Sequence, residues 1–344
     1  MTEKGKSAYD YINSGLELAD AGNNEGAIAE FTKAIEIEPD NADAYINRAV
    51  AYNQMGKEDE CLADLSKALE LNPNDEVAFH NRGYLYKKKG KFDEAISDFT
   101  KALELNSGYT KAYYNRGSSY IIKKMPEEAV SDFASVLSRS ADYADEMIEG
   151  CTQALELKPE FGRAYFDRGL AYVQKRMADE AIADFTKASE LEPKNAMPYC
   201  QRGYVYYRTG AYDDAVADLT KSIELDDKFT TAYYYRGHTN ASKGNIDGAI
   251  TDFSQVVTID PDYAAAYHHR GVAYMTKQMY DKTIEDCTKA IELASEYAGA
   301  YYDRGIGFYK TGKNDESIAD FKQAADLGMD DAKQILKEYF SIEY

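Results

Sequence analysis

The chain of 344 residues has no tryptophan, only four cysteines and only seven prolines. Cys61, Cys151, Cys200 and Cys287 are widely spaced, with no Cys-x-x-Cys. That excludes a dense disulfide framework and leaves them as reduced packing residues. No run approaches the roughly 20 apolar residues that a membrane-spanning helix needs. The opening MTEKGKSAYDYINSG has no apolar stretch, so no signal peptide is expected and a cytoplasmic location is. Basic residues are in deficit: 40 Lys and Arg face 60 Asp and Glu, a formal net charge of −20. Such a chain repels phosphate backbones, so neither nucleic acid nor a membrane is an expected partner. No GxSxG, P-loop, strand-borne GxGxxG or HExxH occurs, so no enzyme, metal or cofactor is expected.

What is present is one phrase written nine times. Ala164 to Pro193, AYFDRGLAYVQKRMADEAIADFTKASELEP, holds two amphipathic helical patterns back to back. Tyr165, Gly169 and Tyr172 share one helical face, and Ala181, Phe185 and Ala188 share another. Pro193 ends the second pattern, because proline disfavours helix in the residue before it. Its glycine recurs as Gly15, Gly83, Gly117, Gly203, Gly237, Gly271 and Gly305, with Ala49 in the second copy. Every step is 34 residues except Gly117 to Gly169, which is 52, longer by 18. With that residue as position 8, the repeats begin at Ala8, Ala42, Glu76, Thr110, Gly162, Ala196, Thr230, Ala264 and Ala298. Small residues at positions 8 and 20 let two helices approach closely, and aromatics at 4, 11 and 24 fill the space between them.

A helix–turn–helix repeat with aromatic-4, Gly-8, Tyr-11, Ala-20, Phe-24, Ala-27 and Pro-32 resembles the tetratricopeptide repeat. The resemblance covers Ala8 to Asp331 apart from the 18 extra residues. It implies an all-α, right-handed α-solenoid whose first helices (A) line a concave groove. It also implies a non-enzymatic scaffold that binds an extended peptide or a partner protein's segment there. A self-assembling array, with one copy's terminus or face in another's groove, is the alternative. The family's two-carboxylate clamp is not matched, since no repeat has Lys at position 5.

Position 7 is Arg and position 23 is Asp in every repeat from the second, from Arg48 and Asp64 to Arg304 and Asp320. Both flank the stripe where helices A and B meet. A matched acid for every arginine predicts structural ion pairs rather than an anion-binding row.

Positions 4, 8 and 11 face helix B, which leaves positions 2, 5, 6, 9, 12 and 13 on the outer face of helix A. Position 6 is Asn13, Asn47, Asn81 and Asn115 in the first four repeats. An amide offers donors and an acceptor that match a peptide main chain. The series resembles the asparagine ladder in the repeat domain of O-linked N-acetylglucosamine transferase. Later repeats turn aromatic, with Tyr114, Phe166, Tyr234 and Tyr302 at position 5, Tyr235 at 6, and Tyr84 and Tyr204 at 9. Rigid rings make good contact surface. All four histidines fall on the same face, as His80, His238, His268 and His269. Protonation of the last three is expected to make binding pH-sensitive as pH falls toward about 6. Lys111 and Arg163, at position 2, add isolated positive charge to the face.

The expected layout is a tail at 1-7, repeats one to four at 8-143, an insertion at 144-161, repeats five to nine at 162-331 and a capping helix at 332-344. Gly22, Gly56 and Gly90 read as left-handed caps closing helix A, whereas repeats four, five and eight lack that glycine. The 18 extra residues equal five helical turns, and apolar residues stay in phase across them. The phase predicts one long helix from about Pro126 to Leu157.

Overall fold

The computed structural model describes residues 6–138 and 141–344. Its regular elements, among the described residues, are all helical. They form two compact units, one ending at Lys175 and one running from Arg176 to Tyr344.

The first unit holds α1 (Ala8–Asp20), α2 (Asn24–Ile37), α3 (Ala42–Gln54), α4 (Glu58–Leu71) and α5 (Glu76–Lys88). It continues with α6 (Phe92–Leu105), α7 (Thr110–Ile122), α8 (Pro126–Leu137), α9 (Ala144–Leu157) and α10 (Gly162–Gln174). The second unit holds α11 (Ala178–Leu191), α12 (Ala196–Thr209), α13 (Tyr212–Leu225), α14 (Thr230–Ser242) and α15 (Ile246–Ile259). After it come α16 (Ala264–Thr276), α17 (Tyr280–Leu293), α18 (Ala298–Lys310), α19 (Asn314–Asp326) and α20 (Asp330–Phe340). Within each unit a helix packs on its chain neighbours, the stacking expected of a solenoid.

The repeat rule is a packing rule. A Cβ at Gly15 would stand 2.5 Å from the ring of Phe31, and one at Gly237 2.8 Å from Phe253. Both phenylalanines are 1 % exposed, so there is no room for a larger residue. Helix A ends in a left-handed residue. Gly22, Gly56 and Gly90 take it at φ 78, 72 and 73°. Where the glycine is missing, Lys124, Arg176 and Gln278 adopt the same conformation at φ 59, 60 and 59°. The turn is therefore imposed by the packing of A on B, and three side chains accept its strain.

The arginine–aspartate pairs form as the spacing predicts. Arg48–Asp64, Arg82–Asp98 and Arg116–Asp132 are bidentate at 2.7–2.8 Å in the first unit. Arg202–Asp218, Arg270–Asp286 and Arg304–Asp320 repeat the geometry in the second. The sequence reading missed a further bond. Each of Arg48, Arg116, Arg202 and Arg304 also donates to a threonine of the preceding helix B, Thr32, Thr100, Thr186 and Thr288, at 2.9–3.1 Å. One guanidinium thus joins its own repeat to the one before it.

The long helix expected from Pro126 to Leu157 does not form. α8 stops at Leu137, a 3₁₀ turn spans Ala141–Tyr143, and α9 starts afresh at Ala144. Residues 139 and 140 lie outside the described residues. α9 packs beside α8, touches α7 and supports α10. Phe133 sits against Gly150 of α9 as well as Gly117 of α7, so a second glycine makes room for the returning helix. Toward α10 the new helix behaves as a second helix B: Thr152 accepts from Arg168 at 2.9 Å. Phase could not reveal this, because five whole turns return apolar residues to the same side whether the helix runs on or folds back.

The cap on the last repeat is α20, which buries Ala332 and Leu336 against Phe321. Tyr339 of the same helix is 63 % exposed. All four cysteines are buried thiols without disulfides.

Candidate functional site

The outer face of the A helices carries the predicted site residues, and the two units treat it differently. In the first unit Asn13 and Asn47 face a common cavity of about 520 Å³ between α1 and α3. Ile12, Leu16 and Ile46 line its apolar part, and Glu38, Asp43 and Asp75 its acidic part. Neither amide has a side-chain hydrogen-bond partner among the described residues, so their donors and acceptors are available. Asn81 and Tyr84 line a smaller cleft of about 150 Å³ with Val50 and Asn53.

Asn115 is already engaged. Its Nδ2 lies 3.1 Å from His80 Nε2, and its Oδ1 accepts from Lys87 Nζ at 3.1 Å. His80 Nδ1 lies 3.4 Å from Asn81 Oδ1. These partners suit a neutral ring with its proton on Nδ1, donating to Asn81 and accepting from Asn115. Burial holds the His80 pKa below its ordinary value, with Lys111 and Lys87 adding to the effect. The ring packs on Tyr109, with centroids 4.8 Å apart. Lys111 is exposed, one helical turn before Asn115. Tyr114 lies under the Lys87 ammonium, 5.8 Å from ring centre to Nζ. Arg163 bonds Asp167 one turn along, so its charge is neutralised locally. Phe166 is buried.

In the second unit the predicted residues converge on one another. Tyr204 packs on Tyr235 with ring centres 4.6 Å apart and planes tilted by 39°, and its hydroxyl accepts from Arg208 at 2.7 Å. Tyr234 is the hub, with His238 at 4.6 Å, Tyr263 at 5.2 Å and His269 at 5.7 Å between ring centres. His238 and His269 meet edge to face at 4.3 Å. Asp303 is 2.7 Å from His268 Nε2, and the Tyr297 hydroxyl is 2.9 Å from its Nδ1. Tyr302 stands apart at the end of the row. It lines a cavity of about 340 Å³ with Ile306, Tyr309, Ile335 and Phe340.

The expected protonation near pH 6 needs correction for His238 and His269. Burial lowers the His238 pKa and, with the neighbouring imidazoles, pushes His269 down to about 3. His269 therefore stays neutral through mildly acidic pH, and His238 is shifted in the same direction. The histidines do approach each other, yet no group of three or more His, Cys, Asp or Glu among the described residues is placed to hold a metal ion.

Sequence reasoning missed Lys87, Tyr263 and Tyr297. Lys87 is at position 12, already on the outer face, and its absence of a nearby acid was the available signal. Tyr263 and Tyr297 sit one residue before helix A, a place that helical periodicity does not score.

Paired helices stacked on a shared packing rule, with an outer face that the rule leaves free to vary, define a helical-repeat protein. Family models narrow this further. One described as TPR repeat matches residues 15–56, 178–210 and 240–278. Two described as tetratricopeptide repeat match 42–75, 77–109 and 264–297, and 110–143 and 198–229. The chain is a tetratricopeptide repeat protein. Among solved structures it is similar to the MamA protein at 27 % identity, covering 53 % of this chain and 96 % of that one, with a TM-score of 0.46. It is also similar to YrrB, described as a TPR protein with an unusual peptide-binding site, at 26 % identity, covering 59 % and 96 %, TM-score 0.35. Yeast Tom70 is similar at 16 % identity, covering 97 % and 94 %, TM-score 0.46. A comparison with curated proteins finds no match. Among the described residues no helix is long and apolar enough to cross a membrane.

Proposed function

We propose that this chain is a non-enzymatic scaffold that holds an extended segment of a partner protein along the outer face of its A helices. Tetratricopeptide repeats serve protein–protein interaction, and the particular reading rests on one observation. Asn13 and Asn47 stand side by side over an open cavity with their amides unpartnered, beside apolar Ile12 and Ile46. Two such amides one repeat apart offer donors and acceptors to a main chain whatever side chains it bears. The aliphatic floor then supplies the non-specific part of the affinity.

The test is selection of linear peptides from a displayed random library by the full chain, followed by the same selection with Asn13→Ala/Asn47→Ala. Enriched peptides should bind the wild-type chain and lose about 1 kcal/mol for each amide removed. Peptides that bind both proteins equally remove the ladder. Light scattering separates the alternative: mass that rises with concentration, with no peptide enriched, assigns the face to a second copy of the chain.

A further inference from the structure

The capping helix carries more aromatic surface than capping requires. Ala332 and Leu336 already close the end of the core against Phe321. α20 packs on α19 and leaves a gap toward α18, whereas α16 packs directly on α18. That gap is the cavity of about 340 Å³. Five rings line it: Tyr302 and Tyr309 from α18, Phe321 from α19, and Tyr339 and Phe340 from α20. Tyr309 meets Tyr339 at 73° and Phe340 at 82°, with ring centres 5.9 and 5.7 Å apart. Tyr302 meets Phe321 at 65°. Adjoining walls thus stand close to right angles, as in a box. The Tyr339 wall is left exposed, so it is not there to fill the core.

The charge of the box is negative. Asp331 and Glu338 stand on its lining, and neither pairs with a cation among the described residues. The acids beside them do: Asp330 reaches Lys333 at 2.9 Å and Glu343 reaches Lys337 at 4.0 Å. Glu338 accepts from the neutral Gln334 amide, at 2.8 Å. Burial, and after it the charge of Asp331, raises the Tyr302 pKa, so that carboxylate is felt inside the cavity. The one basic group on the lining, Lys310, holds its Nζ 5.7 Å from the centre of the Tyr309 ring. One wall therefore already attracts a cation. We propose that this box binds a quaternary ammonium group. Ring faces attract positive charge through their quadrupole, and a fully alkylated nitrogen has no N–H left to satisfy. A primary ammonium brings three donors, and the walls here are rings. The volume is at the small end of ligand sites, about 300–1,000 Å³, which suits a trimethylammonium head on a short chain. The site goes beyond the peptide reading and does not depend on it, since it uses the cap and none of the asparagines.

Choline chloride titrated into the full chain tests this, with binding read by calorimetry and by saturation transfer to its methyl protons. Choline should bind saturably. Its neutral tert-butyl isostere and ethanolamine, which lacks the methyl groups, should each bind about fivefold more weakly. Tyr339→Leu removes the exposed wall and should weaken choline about three- to fivefold, while Tyr339→Phe keeps the wild-type affinity. Lys310→Met frees the Tyr309 face and should tighten choline binding. If Tyr339→Leu fails to fold, the exposed Glu338→Gln serves: it should weaken choline and leave the isostere unchanged. Equal binding of choline and the isostere overturns the proposal, as does an unchanged affinity in the folded wall variant. Ethanolamine bound as tightly as choline overturns the quaternary class. A second arm distinguishes the sources of such a group. A short glycine–serine peptide with one trimethyllysine that binds more tightly than choline assigns the box to a modified protein. Binding no tighter than that of choline assigns it to a free small cation.

Discussion

The two units obey the same packing rule and spend their outer faces in opposite ways. In the first, polar groups are left with open valences: Asn13 and Asn47 over their cavity, and Lys87 with a single neutral acceptor. In the second, short of the capping helix, the face closes on itself. His268 engages Asp303 and Tyr297, Tyr204 engages Arg208, and His238, His269 and Tyr234 pack edge to face. The inner face is fixed by contacts such as Phe31 against Gly15, so it cannot differ between units. The outer face carries no such constraint. A repeat array therefore stores its individuality on one side of one helix.

The shared inner face predicts equal damage when its ion pairs are cut. Arg82→Ala in the first unit and Arg270→Ala in the second each leave a buried carboxylate unpaired, Asp98 or Asp286. Both should lose about 3 kcal/mol in urea unfolding. Unequal losses would show that the units differ in framework as well as in surface.

The contrast in histidine environment predicts a difference with pH. His269 titrates near 6.5 when unfolded and at about 3 when folded. The folded state disfavours its proton, so its stabilising contribution is complete above 6.5 and falls as pH drops toward 3. The loss is at most about 1.4 kcal/mol per pH unit from this group. Thermal melts of wild type and His269→Phe should diverge progressively below pH 6.5, and parallel curves sink the assignment.

Smaller effects come from the strained turns. Lys124→Gly and Gln278→Gly release a left-handed side-chain conformation, one in each unit. Each should gain about 1 kcal/mol, read as a rise in denaturant midpoint. The smallest change belongs to the open face itself. Asn47→Ala should shift stability by less than about 0.5 kcal/mol, as expected of a surface site. Lys87→Met should not lower the melting temperature, since it removes a desolvated charge with no counter-ion among the described residues. A marked drop in either would place these residues in the framework.

Much of the inner face was legible because its constraints recur every 34 residues. Gly15, Ala27 and Phe31 could be assigned their partners from spacing alone, and so could Arg48 with Asp64. The threonines that Arg48 and Arg116 reach both stand at position 25, but that position also holds Ser66, Ala134, Ser254 and Lys322, and the bond crosses a repeat boundary that a single-repeat alignment hides. The outer face was legible as a set of positions and not as a set of contacts. His80 meets Asn115 35 residues away, and Lys87 meets it 28 away. Such pairings depend on which rotamer each helix allows the next. The second helix B escaped for the reason of phase given above, and the break before it falls near Ser138, a residue with weak helix preference.

The arginine that reaches backward to a threonine also decides how the array yields to tension. In the first unit Arg48 holds Thr32, Arg116 holds Thr100 and Arg168 holds Thr152. Arg82 grips only its own Asp98, and no bond runs from it to Ser66 among the described residues. The junction of α4 with α5 thus lacks the half-buried tie and is crossed by the surface pairs Lys88–Glu58 and Lys89–Asp59 instead. Where salt screens those pairs, a stretching force should rupture the first unit there before anywhere else, shedding its first two repeats together while the third and fourth stay joined.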